Sequence, residues 1–444
     1  LGACIVAWIL AALATTNLRA GTVEGPVRIG SIDWDPAIAS FAPECATTFW
    51  QERRSSLCMM DAVLDAAGSV HLFLARWDLS NTFEHRTIEH YLLSNGEVRS
   101  LAPLNLEKAT VEAFRAATTK DGSVALVWLE KEFFTPDYHP KVMYLASFRE
   151  GTWTPARIVS DPEGKPFASH DVLVLRANDD DSLDLFWNDY REHHFWAAFF
   201  TMGEGGDYLR TYHRRITGDD LGVPERIQSR DDPEPDAFAV MPQGSGPAGI
   251  LWSWTSGSVA TIRRSVFSGG HWKAEERVGQ CSASLGKPAI MTLEIAGDDR
   301  GGARVAWVCD RDEVTEPGTR KNASFSNLYV SSLQNGTWST GPVLFRAVDW
   351  IHWLWNEPGK AGLLLQESAP VAAYPARRER KPVPLFIETI EGNRSAGREM
   401  LAGHVVTDSV IAATDAQGNV HVIYAEPTSG TEAVLRYRHG RHGA

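Results

Sequence analysis

An all-β chain wound into a seven-bladed β-propeller of four-stranded blades is what this sequence predicts, on three observations. A seven-residue phrase occurs seven times, a tight polar turn precedes it, and a Gly-x-Trp step follows several copies. The phrase reads VHLFLAR from Val70, VALVWLE from Val124, LDLFWND from Leu183, AGILWSW from Ala248, ARVAWVC from Ala303, AGLLLQE from Ala361 and VHVIYAE from Val420. Its six intervals average about 58 residues, the span of one supersecondary unit repeated in an array. Six blades is the alternative count, because the copy from Trp350 to Glu367 is the least regular.

Each element of the unit has its own reason. An apolar run such as Val410-Ile411-Ala412-Ala413 opens it as the first strand. The turn that follows is Asp65-Ala66-Ala67-Gly68, Lys120-Asp121-Gly122, Asn178-Asp179-Asp180-Asp181 or Asp415-Ala416-Gln417-Gly418. Asp, Asn and Gly suit tight hairpins because they tolerate positive φ and bond their own backbone. The phrase is the second strand, rich in Val, Leu and aromatics at strand length. A variable loop and a third strand follow. The Gly-x-Trp step, at Gly151-Thr152-Trp153, Gly270-His271-Trp272 and Gly336-Thr337-Trp338, then leads into a fourth. Four strands repeated seven times is a propeller pattern, and the 3.6-residue period of a helical solenoid is missing.

The fourth strand shows how the ring closes. Pro155–Ser160 and Pro224–Ser229 share the form P-x-R-I-x-S, which also occurs at Pro26–Ser31, ahead of the first blade. The seventh unit stops after a third strand, Ala433 to Arg438. The N-terminal segment is therefore expected to supply the missing outer strand of the last blade, which removes an exposed edge. Residues 21–444 read as a single propeller domain.

Residues 1–14 are almost wholly apolar, and Leu18-Arg19-Ala20 offers a small-residue cleavage site. Residues 1–20 thus read as a secretory signal peptide with a truncated start, and the protein as secreted or periplasmic. No later stretch is long and apolar enough to span a bilayer. The net charge of −13 is not gathered in blocks, which argues against a nucleic-acid or anionic-membrane surface. A monomer is expected.

Connectivity sorts the loops by face. Tight hairpins leave one face, and the long connections, 31–60, 77–87, 131–140, 190–194, 310–326 and 368–382, leave the other. Long loops at one end of a rigid scaffold are where binding sites usually lie. Beyond the leader stand four cysteines, an even count that favours two disulfides in an exported chain. Cys45 and Cys58 share the loop leading into blade one, and Cys281 and Cys309 lie on two blade-five loops. Cys45–Cys58 and Cys281–Cys309 is therefore the economical pairing.

The phrase ends on the loop-bearing face with Arg76, Glu130, Asp189, Trp254, Cys309, Glu367 and Glu426, placed on equivalent sides of their blades by strand alternation. The carboxylates could serve as general acid and base for a sugar, with Trp254 stacked on an apolar ring face. The plainer alternative is that polar residues simply finish solvent-facing strand ends and are satisfied by neighbouring groups. Beside this ring stand Tyr190, Arg191, His193 and His194, with His170 and Asp171 on the preceding loop. Further loop residues are Glu132, Asp137, Tyr138, His139, Tyr374, Arg377, Arg378, Arg380, Arg53, Arg54 and His85. Adjacent histidines on extended chain point apart, so no metal site is expected. No cofactor is expected either, for the sequence has no Gly-rich phosphate loop, nucleophile elbow or HExxH.

The repeat grammar resembles the sialidase-like (BNR-repeat) propeller superfamily over nearly all of residues 21–444. Sialidases carry an Asp-box, S-x-D-x-G-x-x-W, between strands three and four. Ser147-Phe148-Arg149-Glu150-Gly151-Thr152-Trp153 and Ser332-Leu333-Gln334-Asn335-Gly336-Thr337-Trp338 keep its Ser, Gly and Trp, lose the Asp and are one residue short. Val27-Arg28-Ile29-Gly30 is similar to the Phe-Arg-Ile-Pro motif bearing the first sialidase arginine. The repeat instead aligns Arg28 with Arg157 and Arg226 on outer strands, so no catalytic arginine triad is carried over. Some seven-bladed polysaccharide lyases also resemble the pattern, without a specific motif here.

The resemblance implies an exported propeller that recognises, and as a glycoside hydrolase would cleave, glycan at its loop-bearing face. No sialidase Tyr nucleophile or Asp acid is carried over to any residue; from the strand-end ring and its neighbouring loops, acid–base roles would fall to Glu130, Asp189, Glu367 and Glu426 with Tyr190, and substrate binding to Arg76, Trp254, His170 and Arg191. The alternatives are a non-catalytic module for a protein or cell-surface ligand and, third, a polysaccharide lyase.

Overall fold

Two turn chemistries, each repeated, set the blades. In four blades the first hairpin closes with the same two backbone bonds. Asp65 N–H donates to Ser69 O and Gly68 N–H to Asp65 O, with equivalents between Thr119 and Ser123, Asn178 and Ser182, and Asp415 and Asn419. The left-handed residue this turn requires is Gly68, Gly122, Asp181 or Gly418, with φ from 60° to 82°. The turn between strands three and four has positive φ at two successive residues, Glu150-Gly151, Gly269-Gly270 and Asn335-Gly336. That is the two-residue hairpin geometry matched to strand twist, and it explains the glycine of the Gly-x-Trp step.

The computed structural model describes residues 27–29, 32–34, 39–41, 58–76, 87–94, 97–106, 110–131, 142–160, 166–167, 173–189, 210–227, 237–241, 249–282, 285–297, 302–314, 322–346, 348–367, 383–405, 410–415, 417–427 and 433–442. They form seven antiparallel sheets, the seven blades of a propeller. Blade two shows the plan: Thr110–Thr118 innermost, then Val124–Lys131, Val142–Arg149, and an outer strand broken into Thr152–Trp153 and Arg157–Ile158. The sixth unit is a regular blade, Val348–Glu357, Lys360–Glu367, Val383–Glu391 and Arg394–Val405. Among the described residues no helix is long and apolar enough to cross a membrane.

The ring closes through the N-terminal segment, with one shift from the expected register. Ile32–Trp34 and Ala39–Phe41 both pair with the third strand of blade seven, Ala433–His442. They occupy the places that Thr152–Trp153 and Arg157–Ile158 hold in blade two. Val27–Ile29 pairs outside Ile32–Trp34, so Arg28 lies on an extra outermost strand and is not the counterpart of Arg157. The reason is length: the third strand runs on to His442 rather than Arg438 and admits chain further from the N-terminus.

The core lies between blades. The fifth phrase position holds Trp128, Trp187, Trp252 and Trp307, each at most 1% exposed. Three of them sit directly across from a tyrosine of the third strand, with ring centroids 5.6 Å apart for Trp128–Tyr144, 5.9 Å for Trp187–Tyr212 and 5.5 Å for Trp307–Tyr329. Such offset aromatic pairs add to the area they bury. Gly279 is small for the same reason, since a Cβ there would meet the Trp307 ring at 2.6 Å. The Trp of the Gly-x-Trp step reaches back to the preceding blade. Trp153 packs on Phe73 and His90, and Trp272 on Phe186 and His213.

Cys281 and Cys309 form the expected disulfide. Their placement differs, because both lie in strands and they bridge two blades. Cys281 belongs to the outer strand Glu276–Ser282 of blade four and Cys309 to the second strand Ala303–Val314 of blade five. Blade four's outer strand is long enough to reach its neighbour, which the loop assignment did not anticipate. Cys45 lies outside the described residues, and Cys58 begins the innermost strand of blade one.

Buried histidines make the fold pH-sensitive. Burial, and then the neighbouring His71, push His90 down from 6.5 to about 3, while burial and His439 push His421 down to about 4. Both stay neutral in the folded protein at pH values where the unfolded chain binds protons. The stability these two histidines contribute should therefore be complete well above pH 6.5 and decline from there toward pH 4, by several kcal/mol in total. Denaturant midpoints across that range check this, and a midpoint unchanged from pH 7 to 4.5 would contradict it.

Candidate functional site

The seven phrase ends divide into those tied up within the fold and those whose strand position alone is described. Glu130 ends its phrase fully buried and accepts the indole N–H of Trp128, two residues back on the same side of the strand. Glu367 is paired with Arg398, which also holds the buried Glu388 at 3.1 Å. Burial pushes the Glu388 carboxyl up, against the pull of Ser395 and Arg398. Glu426 accepts from Arg436 Nε at 2.6 Å. Trp254 carries the Arg263 guanidinium over its ring at 4.0 Å, and Arg263 is in turn bound to Glu275. Cys309 is in the disulfide.

Arg76 stands at the end of its strand opposite Cys58, and Asp189 opposite Arg210. His170, Tyr190, Arg191, His193 and His194 lie outside the described residues, as do the loop residues near 53, 85, 137 and 377. Glu367 and Glu426 remain about a third exposed at the loop-bearing end. They are acids held in place by arginine, available to accept hydrogen bonds from a ligand.

The strand register brings together a second set that the phrase itself does not display. Opposite the fourth phrase residue, on the innermost strand of each blade in turn, stand Asp61, Arg115, Val174, Ala239, Glu294, His352 and Ile411. They form one level around the propeller axis. Asp61 accepts the Ala116 N–H of blade two at 2.7 Å, and burial pushes its carboxyl up, with Arg115 pulling the other way. Across blades five and six, His352 Nδ1 lies 3.6 Å from Glu294 Oε2. Burial opposes charge on His352, but Glu294 and the Ala412 backbone of blade seven raise its pKa above 6.5. Trp350, two residues nearer the loop-bearing end of the same strand, stacks on His352 with centroids 5.9 Å apart and planes 13° apart.

A cleft of about 520 Å³ lies on the opposite, tight-hairpin side, between blades five and six. Its lining residue Arg304 is committed to Asn356 and to the Glu357 and Lys360 carbonyls, which anchor the neighbouring hairpin. Among the described residues, no group of three or more His, Cys, Asp or Glu side chains is arranged to hold a metal ion.

Comparison with protein families finds no match, and comparison with curated proteins finds no significant similarity. Among solved structures the chain is similar to a PL25 ulvan lyase, a polysaccharide lyase, bound to -[GlcA(1-4)Rha3S]-. The TM-score is 0.55 and the identity 9%, covering 90% of this chain and 94% of that one. A second structure of the ulvan lyase gives a TM-score of 0.53 at 9% identity, with the same coverage. The GH93 α-L-arabinofuranosidase of Fusarium graminearum aligns at 0.44 and 9% identity over 91% of this chain and 98% of its own. At these identities the likeness is one of fold: this is a seven-bladed β-propeller, of an architecture that carbohydrate-active enzymes also use.

Proposed function

We propose that the protein is an exported propeller that recognises glycan at its loop-bearing face. The observation that carries this reading is one-sidedness. Between second and third strands the chain leaves 190–209 in blade three and 368–382 in blade six, whereas the connections on the opposite face run from two to eight residues. Acids about a third exposed at that same end, Glu367 and Glu426, supply acceptors for sugar hydroxyls. The fold likeness to a lyase solved with a glucuronate–rhamnose chain supports the ligand class. The Cys281–Cys309 disulfide supports an oxidising compartment.

Hydrolysis is the finer reading. Asp189, Glu367 and Glu426, with Tyr190, would then act as acid, base or nucleophile, and Arg76, Trp254, His170 and Arg191 would hold the substrate. Glu130, fully buried and bound to the Trp128 indole N–H, would take no direct acid–base part in this reading. The lyase fold match favours a second reading, β-elimination from a uronate chain. Incubation with a polysaccharide panel, together with a glycan array, separates the two. Hydrolysis yields saturated reducing ends and elimination yields an ultraviolet-absorbing unsaturated uronate. Binding without turnover would leave a recognition module, and neither binding nor turnover would overturn the glycan reading.

A further inference from the structure

We infer that the axial wall of blades five and six, formed by Trp350, His352 and Glu294, is a saccharide subsite inside the loop-bearing mouth. The assignment rests on the glycan reading above and gives it a location that the strand-end ring did not.

Where the fold needs a side chain, the blades repeat it: Trp stands at the fifth phrase position in four of them, and a tyrosine faces three of those. At the axial level the seven equivalent positions diverge into Asp, Arg, Val, Ala, Glu, His and Ile. Packing does not call for four charged or titratable groups there, and Val174, Ala239 and Ile411 fill the same place with apolar atoms. Asp61, Arg115, Glu294 and His352 are only half-buried although they sit on innermost strands. Innermost strands border the axial opening, so this exposure is to that opening.

Order along the strand gives the site its depth. Val348, opposite Glu367, is at the loop-bearing end of its strand, Trp350 comes next and His352 lies below it. A chain end entering from the loops meets the indole first and the polar girdle second. A half-buried indole can take the apolar face of a pyranose ring, in the way aromatic residues serve carbohydrate sites. Beneath it, Glu294 offers acceptors and its charge favours the protonated, donating form of the imidazole, so both kinds of partner that vicinal hydroxyls need are at hand. Asp61 and Arg115, on blades one and two, supply the same acceptor–donor pairing from the other side of the ring.

The test is titration of the full chain with oligosaccharides that the wild type binds, drawn from neutral and glucuronate–rhamnose panels. Trp350→Ala should weaken binding at least tenfold and Trp350→Phe much less, while His352→Gln and Glu294→Gln should each weaken it several-fold. Melting temperatures within a few degrees of wild type show that the variants are folded, and the two Gln variants, being near-isosteric, guard against collapse of Trp350→Ala. Folded variants that bind like wild type would overturn the subsite and leave the glycan reading standing. A wild type that binds no saccharide in either panel would overturn both.

Discussion

Asp184→Ala is expected to cost the fold about 3–5 kcal/mol, because it removes the anion from a buried network and leaves the cations behind. Asp184 is 1% exposed and accepts from His213 Nε2 and Asn178 Nδ2, both at 2.9 Å. Arg176 Nη1 lies 3.5 Å away and Arg215 Nε 3.7 Å. Burial works against its charge, yet His213, Asn178 and Arg215 together hold the carboxyl below 3.8. Its contribution is thus present at neutral pH and is lost only as pH falls through that lowered value. Without it, the buried Arg176 guanidinium loses a carboxylate 3.5 Å away and keeps the Asn178 amide oxygen and the more distant charge of Asp179. Asp219→Ala removes the same charge from a fully exposed position and should leave stability nearly unchanged. Urea denaturation of both variants at pH 7 checks the pair, and equal midpoints would refute the buried-network account.

The second large effect is that of the inter-blade disulfide. Cys281 and Cys309 are 28 residues apart, and a loop of that size contributes roughly 3–4 kcal/mol by limiting the unfolded chain. A Cys281→Ala, Cys309→Ala double variant should therefore melt well below wild type. Reductant should lower the wild-type melting temperature toward that of the variant. Any further response of the double variant to reductant reports on Cys45 and Cys58. Identical melting with and without the bond would show that blades four and five are held by packing alone.

Much of the fold was legible in the residues themselves. The turn at Asp65–Gly68 and the Gly-x-Trp step encode hairpins locally, since left-handed backbone and self-bonding side chains need no distant partner. Closure by the N-terminal segment was legible too, because a blade short of one strand has an edge to cover. The register of closure was not. Arg28 looked like Arg157 in sequence, but which strand meets Ala433–His442 depends on where that strand ends. Cys281 likewise reads as a loop residue in the sequence, because an outer strand running on to Ser282 carries no strong pattern of its own.

The candidate site divides in the same way. The phrase placed Glu130, Glu367 and Glu426 at the ends of their strands. It could not show that Trp128, Arg398 and Arg436 engage them, since those bonds depend on rotamers and twist. Nor did it mark the axial set of Asp61, Arg115, Glu294 and His352. Innermost strands vary in sequence, and only their pairing with the fourth phrase residue aligns them.

By itself, then, the sequence determined the repeating unit and the two faces, and it favoured seven blades over six and Cys309 as the partner of Cys281. These follow from local backbone chemistry and from counting. The tertiary structure decided which polar residues are spent on one another and which surround the axis. Closing a ring brings side chains hundreds of residues apart to one level, and burial and hydrogen bonding then set the charge each one carries.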